Sequence, residues 1–358
     1  MKIAYIYDAV YPWVKGGGEK RVYELARRLA ARGHEVHWFG LKWWDGPRHI
    51  EWNGVHLHGV GTWDTLYVKG RRSVGEAIYF AIKTLLKLGG KFDVVDSQQF
   101  PYLHNFAAKL RRLDFIITWH EVWGRYWLRY LGRPGLFGML AERLATRLTR
   151  RHVAVSKRTA RELEKMGVYA RMIPNGVDVE KIEKIKPSPE ESDVIYVGRL
   201  VREKRVDLLL KAARLLKKWI PDLRVVVIGD GPERPRLEKL ARGLDVKFTG
   251  FLQYEEVIAR MKSSKVFVLP SEREGFGIAV LEANAAGLPA VVVRHEMNAA
   301  VDLIEEGKNG YVAEPNEADL AEKIHRAMGH MRQTSVEYAK MYHWDKITDA
   351  VEAYYRGL

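Results

Sequence analysis

The stretch Pro270-Ser271-Glu272-Arg273-Glu274-Gly275-Phe276-Gly277-Ile278-Ala279-Val280-Leu281-Glu282-Ala283-Asn284-Ala285-Ala286-Gly287-Leu288-Pro289 follows a short apolar run, Val266-Phe267-Val268-Leu269. The run reads as a buried strand of a parallel sheet, and Ile278 to Ala286 has the composition of a buried helix. Strand, glycine-containing turn and helix follow one another. The start of such a helix leaves backbone N–H groups without intrahelical partners, which suits a phosphate or another anion. Two carboxylates mark the segment, Glu274 in the turn and Glu282 eight residues later on the helix.

The same alternation extends outward from this turn. Strands fit Val194 to Val197, Arg224 to Ile228, Val246 to Thr249 and, beyond the quoted segment, Ala290 to Val293. A helix from Asp207 to Ile220 places Leu209, Leu210, Ala213 and Leu216 on one side and Lys211, Arg214, Lys217 and Lys218 on the other. In the first half, strands read at Ile3 to Tyr7, Glu35 to Phe39, Val55 to Val60, Phe92 to Asp96, Phe115 to Trp119 and His152 to Val155. Helices fall at Glu19 to Arg32, Glu76 to Leu88 and Leu136 to Arg150. Turn chemistry at Ile173-Pro174-Asn175-Gly176-Val177-Asp178 and the proline-containing run Lys186 to Ser192 separate the two series. This order predicts an α/β protein of two doubly wound halves, with ligands at the carboxyl ends of the strands in a cleft between them. A last helix, Trp344 to Tyr355, carries an apolar stripe of Trp344, Ile347, Val351 and Tyr354.

Composition narrows the classes. At 358 residues the chain is long for one core, and 47% hydrophobic with 29% charged residues is a globular balance. The chain has no cysteine, which excludes disulfides and thiol chemistry and fits a reducing compartment. It has no apolar run of the ~18 to 20 residues that a spanning helix needs, and its N-terminus reads as a strand rather than a signal peptide. A soluble, cytoplasmic protein is expected. The net charge of +14 fits a phosphorylated substrate, an anionic membrane face or nucleic acid, or equally the charged surface of a thermophile.

Several short segments could carry chemistry. Gly16-Gly17-Gly18 lies between the first strand and the first helix and permits close backbone approach to a ligand. It lacks the later glycines of a dinucleotide fingerprint, since Lys20 and Arg21 stand there. Arg199 and Lys204, at a strand-to-helix turn, could clamp a diphosphate or could simply be solvated. Gly229-Asp230-Gly231-Pro232 is another tight turn on the same side. His120 ends the fifth strand of the first half, as a donor, an acid or base, or a structural hydrogen-bonder. Glycosidase carboxylates stand roughly 5 to 9.5 Å apart. Eight residues of helix rise about 12 Å. Glu274 and Glu282 are therefore poorly placed as a hydrolytic pair and read instead as two separate acceptors for hydroxyl groups.

Taken as an ordered set, these segments resemble the retaining glycosyltransferases of family 4, which have the GT-B fold of two Rossmann-like domains facing across a cleft. Glu274-Gly275-Phe276-Gly277 with Glu282 is similar to that family's E-x7-E motif. Gly16 to Val22 with Ala31 to Val36 resembles its N-terminal glycine loop and first helix. Pro174-Asn175-Gly176-Val177-Asp178, Gly198-Arg199-Leu200 with Lys204, Gly229 to Pro232 and Gly250-Phe251 stand in the family's order.

The resemblance implies an acceptor-binding domain over 1–172, a nucleotide-sugar-binding domain over 173–340 and a helix over 341–358 that returns to the first domain. It implies transfer of a hexose, with retention and without a metal or other cofactor, from a nucleotide-diphosphate sugar to an acceptor hydroxyl. Arg199 and Lys204 would hold the diphosphate, Glu274 the sugar hydroxyls and Glu282 the ribose. Gly17 and Gly18 would approach phosphates or acceptor, His120 would touch the sugar, and Gly231, Gly275, Phe276 and Gly277 would line the donor.

Three positions depart from the family pattern: Arg205 stands where glycine is common, Asn284 where methionine is frequent, and Arg294 to Ala300 lacks paired glycines. The run Trp119 to Arg133, with Lys69-Gly70-Arg71-Arg72 upstream, interleaves aromatic and basic residues. It suits an anionic membrane surface and a lipid or lipid-linked acceptor, with the protein peripheral on the inner membrane face; sugar stacking and ordinary packing fit it equally. No nucleic-acid partner is expected. A nucleotide-sugar 2-epimerase of the same fold and a non-enzymatic basic binding protein are the alternatives.

Overall fold

The computed structural model describes residues 1–68, 71–329 and 331–358. The chain divides into two compact units, Met1–Pro174 with Ile347–Leu358, and Asn175–Lys346.

Unit 1 begins with β1 (Lys2–Ile6), α1 (Gly17–Ala31), β2 (Glu35–Leu41), β3 (His49–Trp52) and β4 (Val55–Gly61). There follow β5 (Tyr67–Val68), β6 (Arg71–Arg72), α2 (Val74–Lys87), β7 (Val94–Gln98), α3 (Leu103–Leu110) and β8 (Ile116–Trp119). It continues with α4 (Tyr126–Leu131), α5 (Gly135–Ala145), β9 (Arg151–Ala154), α6 (Lys157–Lys165) and β10 (Arg171–Met172). The sheet order is β10-β9-β8-β7-β1-β2-β4-β3, parallel throughout except where β3 pairs antiparallel with β4. The β3–β4 hairpin was not read from the sequence, although it turns on Asn53-Gly54, both at positive φ, the pair that favours a tight hairpin.

Unit 2 holds α7 (Val179–Lys184), β11 (Ser192–Val197), α8 (Val206–Leu216), β12 (Arg224–Ile228), α9 (Arg234–Leu240) and β13 (Asp245–Gly250). Then come α10 (Tyr254–Lys262), β14 (Ser264–Leu269), α11 (Ile278–Ala285), β15 (Ala290–Val293), β16 (Gly310–Ala313), α12 (Glu317–Ala327) and α13 (Arg332–Lys340), while α14 (Trp344–Arg356) starts in unit 2 and from Ile347 onward belongs to unit 1. Its six strands run parallel in the order β13-β12-β11-β14-β15-β16. Val266, Phe267 and Val268 on β14 and Val291 and Val292 on β15 are fully buried, as strands covered on both faces require.

Three sequence expectations change. The stripe on α14 is Trp344, Ile347, Val351 and Tyr355, all buried, with Tyr354 turned aside. Eleven residues complete just over three helical turns, so position 355 lies over 344 and position 354 falls about one residue short. The helix read over Leu136 to Arg150 ends at Ala145, where Thr149 Oγ1 instead donates to the Phe115 carbonyl at 2.6 Å. Trp119, Trp123, Tyr126 and Trp127 are buried, so of the membrane, sugar-stacking and packing readings open for this run, packing holds for its aromatic residues. Trp123 and Trp127 stack on Phe100, and the buried Glu142 carboxylate accepts from the Tyr102 hydroxyl and the Trp123 and Gly124 amides at 2.8–2.9 Å. Lys69 and Gly70 lie outside the described residues, and Arg72 turns inward to pair with Asp8.

Candidate functional site

In unit 2 the turn before α11 is set by its glycine. Gly277 adopts φ +99, and a Cβ there would stand 2.7 Å from the Ala300 Cβ. The left-handed residue starts the helix late, so only Ile278 to Glu282 rises helically, about 6 Å, and the continuous rise assumed for the Glu274–Glu282 pair does not apply. The N-cap residue of this helix is Gly277 itself, which has no side chain to bond the first N–H groups. Phe276 is buried with its ring against Tyr342, so it anchors the turn from below. Gly275 belongs to the same turn, and Glu282 sits half-buried on α11.

Lys204 closes a 3₁₀ turn, Arg202–Lys204, and its Nζ reaches Glu274 Oε1 at 2.5 Å. The structure thus joins two residues that the sequence placed 70 positions apart. Backbone bonds hold both loops: the Glu274 amide donates to the Met297 carbonyl, the Ala299 amide to the Glu274 carbonyl, each at 3.0 Å, and the Glu272 amide to the Glu203 carbonyl at 2.9 Å. Tyr196, not singled out in the sequence, donates its hydroxyl to the Arg199 carbonyl at 3.1 Å. Burial and the nearby Glu274 charge push that hydroxyl well above its ordinary pKa, opposed by Arg199, so Tyr196 stays protonated between the two. Arg199 itself is exposed.

The glycine turn Gly229–Pro232 knits into the same corner. A Cβ on Gly229, at φ +127, would stand 2.0 Å from the Gly198 carbonyl, and one on Gly231 would stand 2.4 Å from that of Leu200. These glycines allow one loop to lie against the next, which explains Gly231 through loop packing whether or not a ligand approaches it. The departures from the family pattern are compensated locally. Arg205 sits at φ +49, a left-handed conformation, and is held by Glu272 at 2.6 Å and Asp207 at 3.2 Å. Asn284 is buried and donates to the Leu288 and Asn309 carbonyls at 2.9 and 3.0 Å, while Asn309 Nδ2 donates back at 2.9 Å. In the Arg294–Ala300 loop Asn298 takes over as tether, donating to the Ser271 and Val293 carbonyls at 3.0 and 2.8 Å.

In unit 1 the candidate residues gather at the end of β8. His120 stacks on Tyr7 with ring centroids 6.3 Å apart. Gly17 and Gly18 open α1, and a Cβ on Gly18 would meet the Tyr7 hydroxyl at 2.9 Å and His120 Nε2 at 3.3 Å. Burial, aided by the Arg21 charge, lowers the His120 pKa to about 3, so the ring is neutral. Its Nε2 donates to Gln98 Oε1 at 2.8 Å, and its amide to Gln99 Oε1 at 2.8 Å. Gln98 is oriented in turn by Asp96, which accepts from Gln98 Nε2 at 3.1 Å, Thr118 Oγ1 at 2.7 Å and the Tyr355 hydroxyl at 2.6 Å. Buried Arg21 balances that carboxylate and donates to the Pro174 carbonyl at 2.6 Å. Asp96, Gln98, Arg21 and Tyr355 carry no sequence signature, because their roles depend on partners up to 259 positions away. Among the described residues no group of three or more His, Asp or Glu is arranged to hold a metal ion.

This arrangement agrees with known families over nearly the whole chain. The model described as Glycosyltransferase Family 4 matches residues 15–181, and that of Glycosyl transferases group 1 matches residues 178–340. The chain belongs to the family 4, group 1 glycosyltransferases. A sulfoquinovosyl transferase of Arabidopsis thaliana is 39% identical over 149 residues, 41% of this chain and 28% of that one. A GDP-mannose-dependent alpha-(1-6)-phosphatidylinositol dimannoside mannosyltransferase of Mycobacterium tuberculosis is 30% identical over 188 residues, 49% of each chain. This chain therefore spans between 28% and 49% of the length of these two relatives. The sucrose-phosphate synthase from Thermosynechococcus elongatus superposes with a TM-score of 0.81 at 20% identity, covering 99% of this chain and 98% of that one, which establishes the GT-B fold for this glycosyltransferase.

Proposed function

We propose that the chain is a retaining glycosyltransferase that moves a hexose from a nucleotide-diphosphate sugar to an acceptor hydroxyl, without a metal. The observation that carries the reading is the Lys204–Glu274 contact, with Arg199 and the protonated Tyr196 beside it and the uncapped N-terminus of α11 following. Cations and free backbone N–H groups at one turn suit a diphosphate.

On donor binding Lys204 turns to the diphosphate, where it and Arg199 neutralise the leaving group, and Glu274 is released to accept from sugar hydroxyls. Glu282 receives the ribose hydroxyls. The bond from the anomeric carbon to the diphosphate oxygen breaks while the acceptor oxygen bonds to the same face of that carbon. The acceptor proton passes to the departing phosphate oxygen. His120, neutral and already donating to Gln98, suits a contact with the sugar better than proton transfer, since a ring with a pKa of about 3 is a weak base at neutral pH. Gly17 and Gly18 keep the backbone beside that ring open to the acceptor. The acceptor class proposed is a lipid or lipid-linked glycan, in keeping with the phosphatidylinositol dimannoside for which the mycobacterial relative is named.

Screening UDP-, GDP- and ADP-sugars for thermal stabilisation identifies the donor, because a ligand that binds only the folded state raises its stability by mass action. With that donor, the anomeric configuration of the product by NMR and the persistence of transfer in EDTA test retention and metal independence. An inverted product, or activity abolished by chelator and restored by a divalent cation, overturns the corresponding part.

A further inference from the structure

The outer helices of unit 1 differ in what they expose. On α2, Val74, Ile78, Ile82 and Leu86 recur every fourth position and are 47–68% exposed. On α5, Leu136, Phe137, Leu140 and Leu144 form a second stripe, 38–76% exposed. Each helix turns its opposite side to the protein: Ala77 and Phe80 are buried on α2, Glu142 and Ala145 on α5. The two stripes belong to one layer. The connections β4-α2-β7, β7-α3-β8 and β8-α5-β9 all step the same way across a parallel sheet, and right-handed crossovers then place their helices on the same face. Helix α3 lies between, packed against both, and ends on Leu110, 72% exposed.

Other outer helices show that this is not the general character of the surface. The exposed positions of α14 include Asp345, Lys346, Asp349 and Arg356, and those of α8 and its C-cap include Lys211, Arg214 and Lys217. Large contiguous apolar faces are rare on monomeric soluble proteins. The charge around this one is predominantly positive. From Leu103 to Arg150 there are nine lysines and arginines, against Asp114, Glu121 and the buried Glu142. Arg129, Arg133, Arg143 and Arg147 are exposed beside the α5 stripe.

We propose that the α2-α3-α5 face of unit 1 docks on an anionic lipid bilayer, its apolar stripes entering the interfacial zone and its arginines meeting the lipid phosphates. An exposed helix with an apolar side and a cationic rim binds such surfaces by both contributions. A second copy of the chain fits less well, since a two-fold contact would set this cationic face against itself. The surface relocates the membrane contact expected from Trp119 to Arg133: its aromatic residues went to the core, and the apolar contact passed to α2 and α5.

The proposal does not depend on the transfer chemistry, and its test reads no activity. The full chain is floated with phosphatidylcholine vesicles, with and without phosphatidylglycerol, in about 0.05 M salt, where surface charges are weakly screened. The wild type should float with the anionic vesicles and much less with the neutral ones. Ile82→Ser combined with Phe137→Ser should lower partitioning at least tenfold. Arg143→Gln combined with Arg147→Gln should lower it about 25-fold, at roughly fivefold per charge. All four positions are exposed, so unchanged thermal unfolding should accompany each loss. The proposal is overturned if the wild type stays wholly soluble with anionic vesicles, if both double variants float as the wild type does, or if sedimentation shows a dimer that Phe137→Ser dissolves without lipid binding.

Discussion

The candidate cluster of unit 1 and that of unit 2 are built differently. In unit 2 the loops bearing Arg199, Lys204, Gly231 and Glu274 are tied mainly through their own backbones, as in the Glu274–Met297, Glu272–Glu203 and Leu200–Asp230 bonds. In unit 1 His120 is held by a relay of buried side chains, Asp96 to Gln98 to the imidazole, with Tyr355 and Thr118 behind it. Backbone ties tolerate most side chains but demand glycine where loops touch. Side-chain relays tolerate varied backbone but demand each partner.

The sharpest way to break this comparison is to remove the charged pair of unit 2. Lys204→Ala and Glu274→Ala should each lower kcat/KM by about 10²- to 10³-fold. The double variant should fall little further, because residues acting as a unit are non-additive. Undiminished transfer in either single variant would end the assigned roles. Gly229→Ala should cost unit 2 about 2 to 4 kcal/mol, since its Cβ would meet the Gly198 carbonyl at 2.0 Å in a conformation that disfavours alanine. Hydrogen exchange resolved by peptide should show the loss in unit 2 and leave unit 1 protected.

Tyr355→Phe probes the other side. It removes the hydroxyl that donates to Asp96 at 2.6 Å, leaving a buried carboxylate one bond short. The cost should be about 1.5 to 3 kcal/mol, confined to unit 1, with a lowered kcat as the relay to His120 loosens. Acid should separate the units further. Burial, the leading cause at each, lowers the pKa values of His58, His104 and His120 to about 4, 4 and 3, and all three lie in unit 1. A histidine with a lowered folded value is protonated first in the unfolded chain. The contribution is therefore fully present above pH 6.5 and declines as the pH falls through 6.5 toward 4. Nine of the eleven tryptophans are in unit 1, so fluorescence follows its unfolding, and a signal flat from pH 7 to about 4 would contradict this account.

The smallest effect is expected from Arg205→Gly. Relief of a left-handed backbone, about 1 kcal/mol, should nearly offset the lost contacts to Glu272 and Asp207. A change beyond about 1 kcal/mol either way would mean that Arg205 does more than occupy a glycine position.

By itself the sequence determined the two α/β halves, the order of most strands, and the glycine turns and charged residues of unit 2. Those features are local: apolar runs, positive-φ glycines and helix starts are written within a few residues of where they act. It also contained the Asn53-Gly54 pair whose positive φ values suit the tight β3–β4 hairpin. Only the tertiary structure decided that Trp123 and Trp127 are core, that Tyr355 rather than Tyr354 faces Asp96, that Tyr196 lies between Arg199 and Glu274, and that the α2 and α5 stripes share one exposed face. Each of these depends on which distant segments the sheet order brings together, and a partner 259 positions away leaves no trace in local pattern. The turn from Glu274 to Glu282 combines both kinds of information: its glycines and carboxylates were legible in sequence, while the Lys204 contact and the late start of α11 came from the fold.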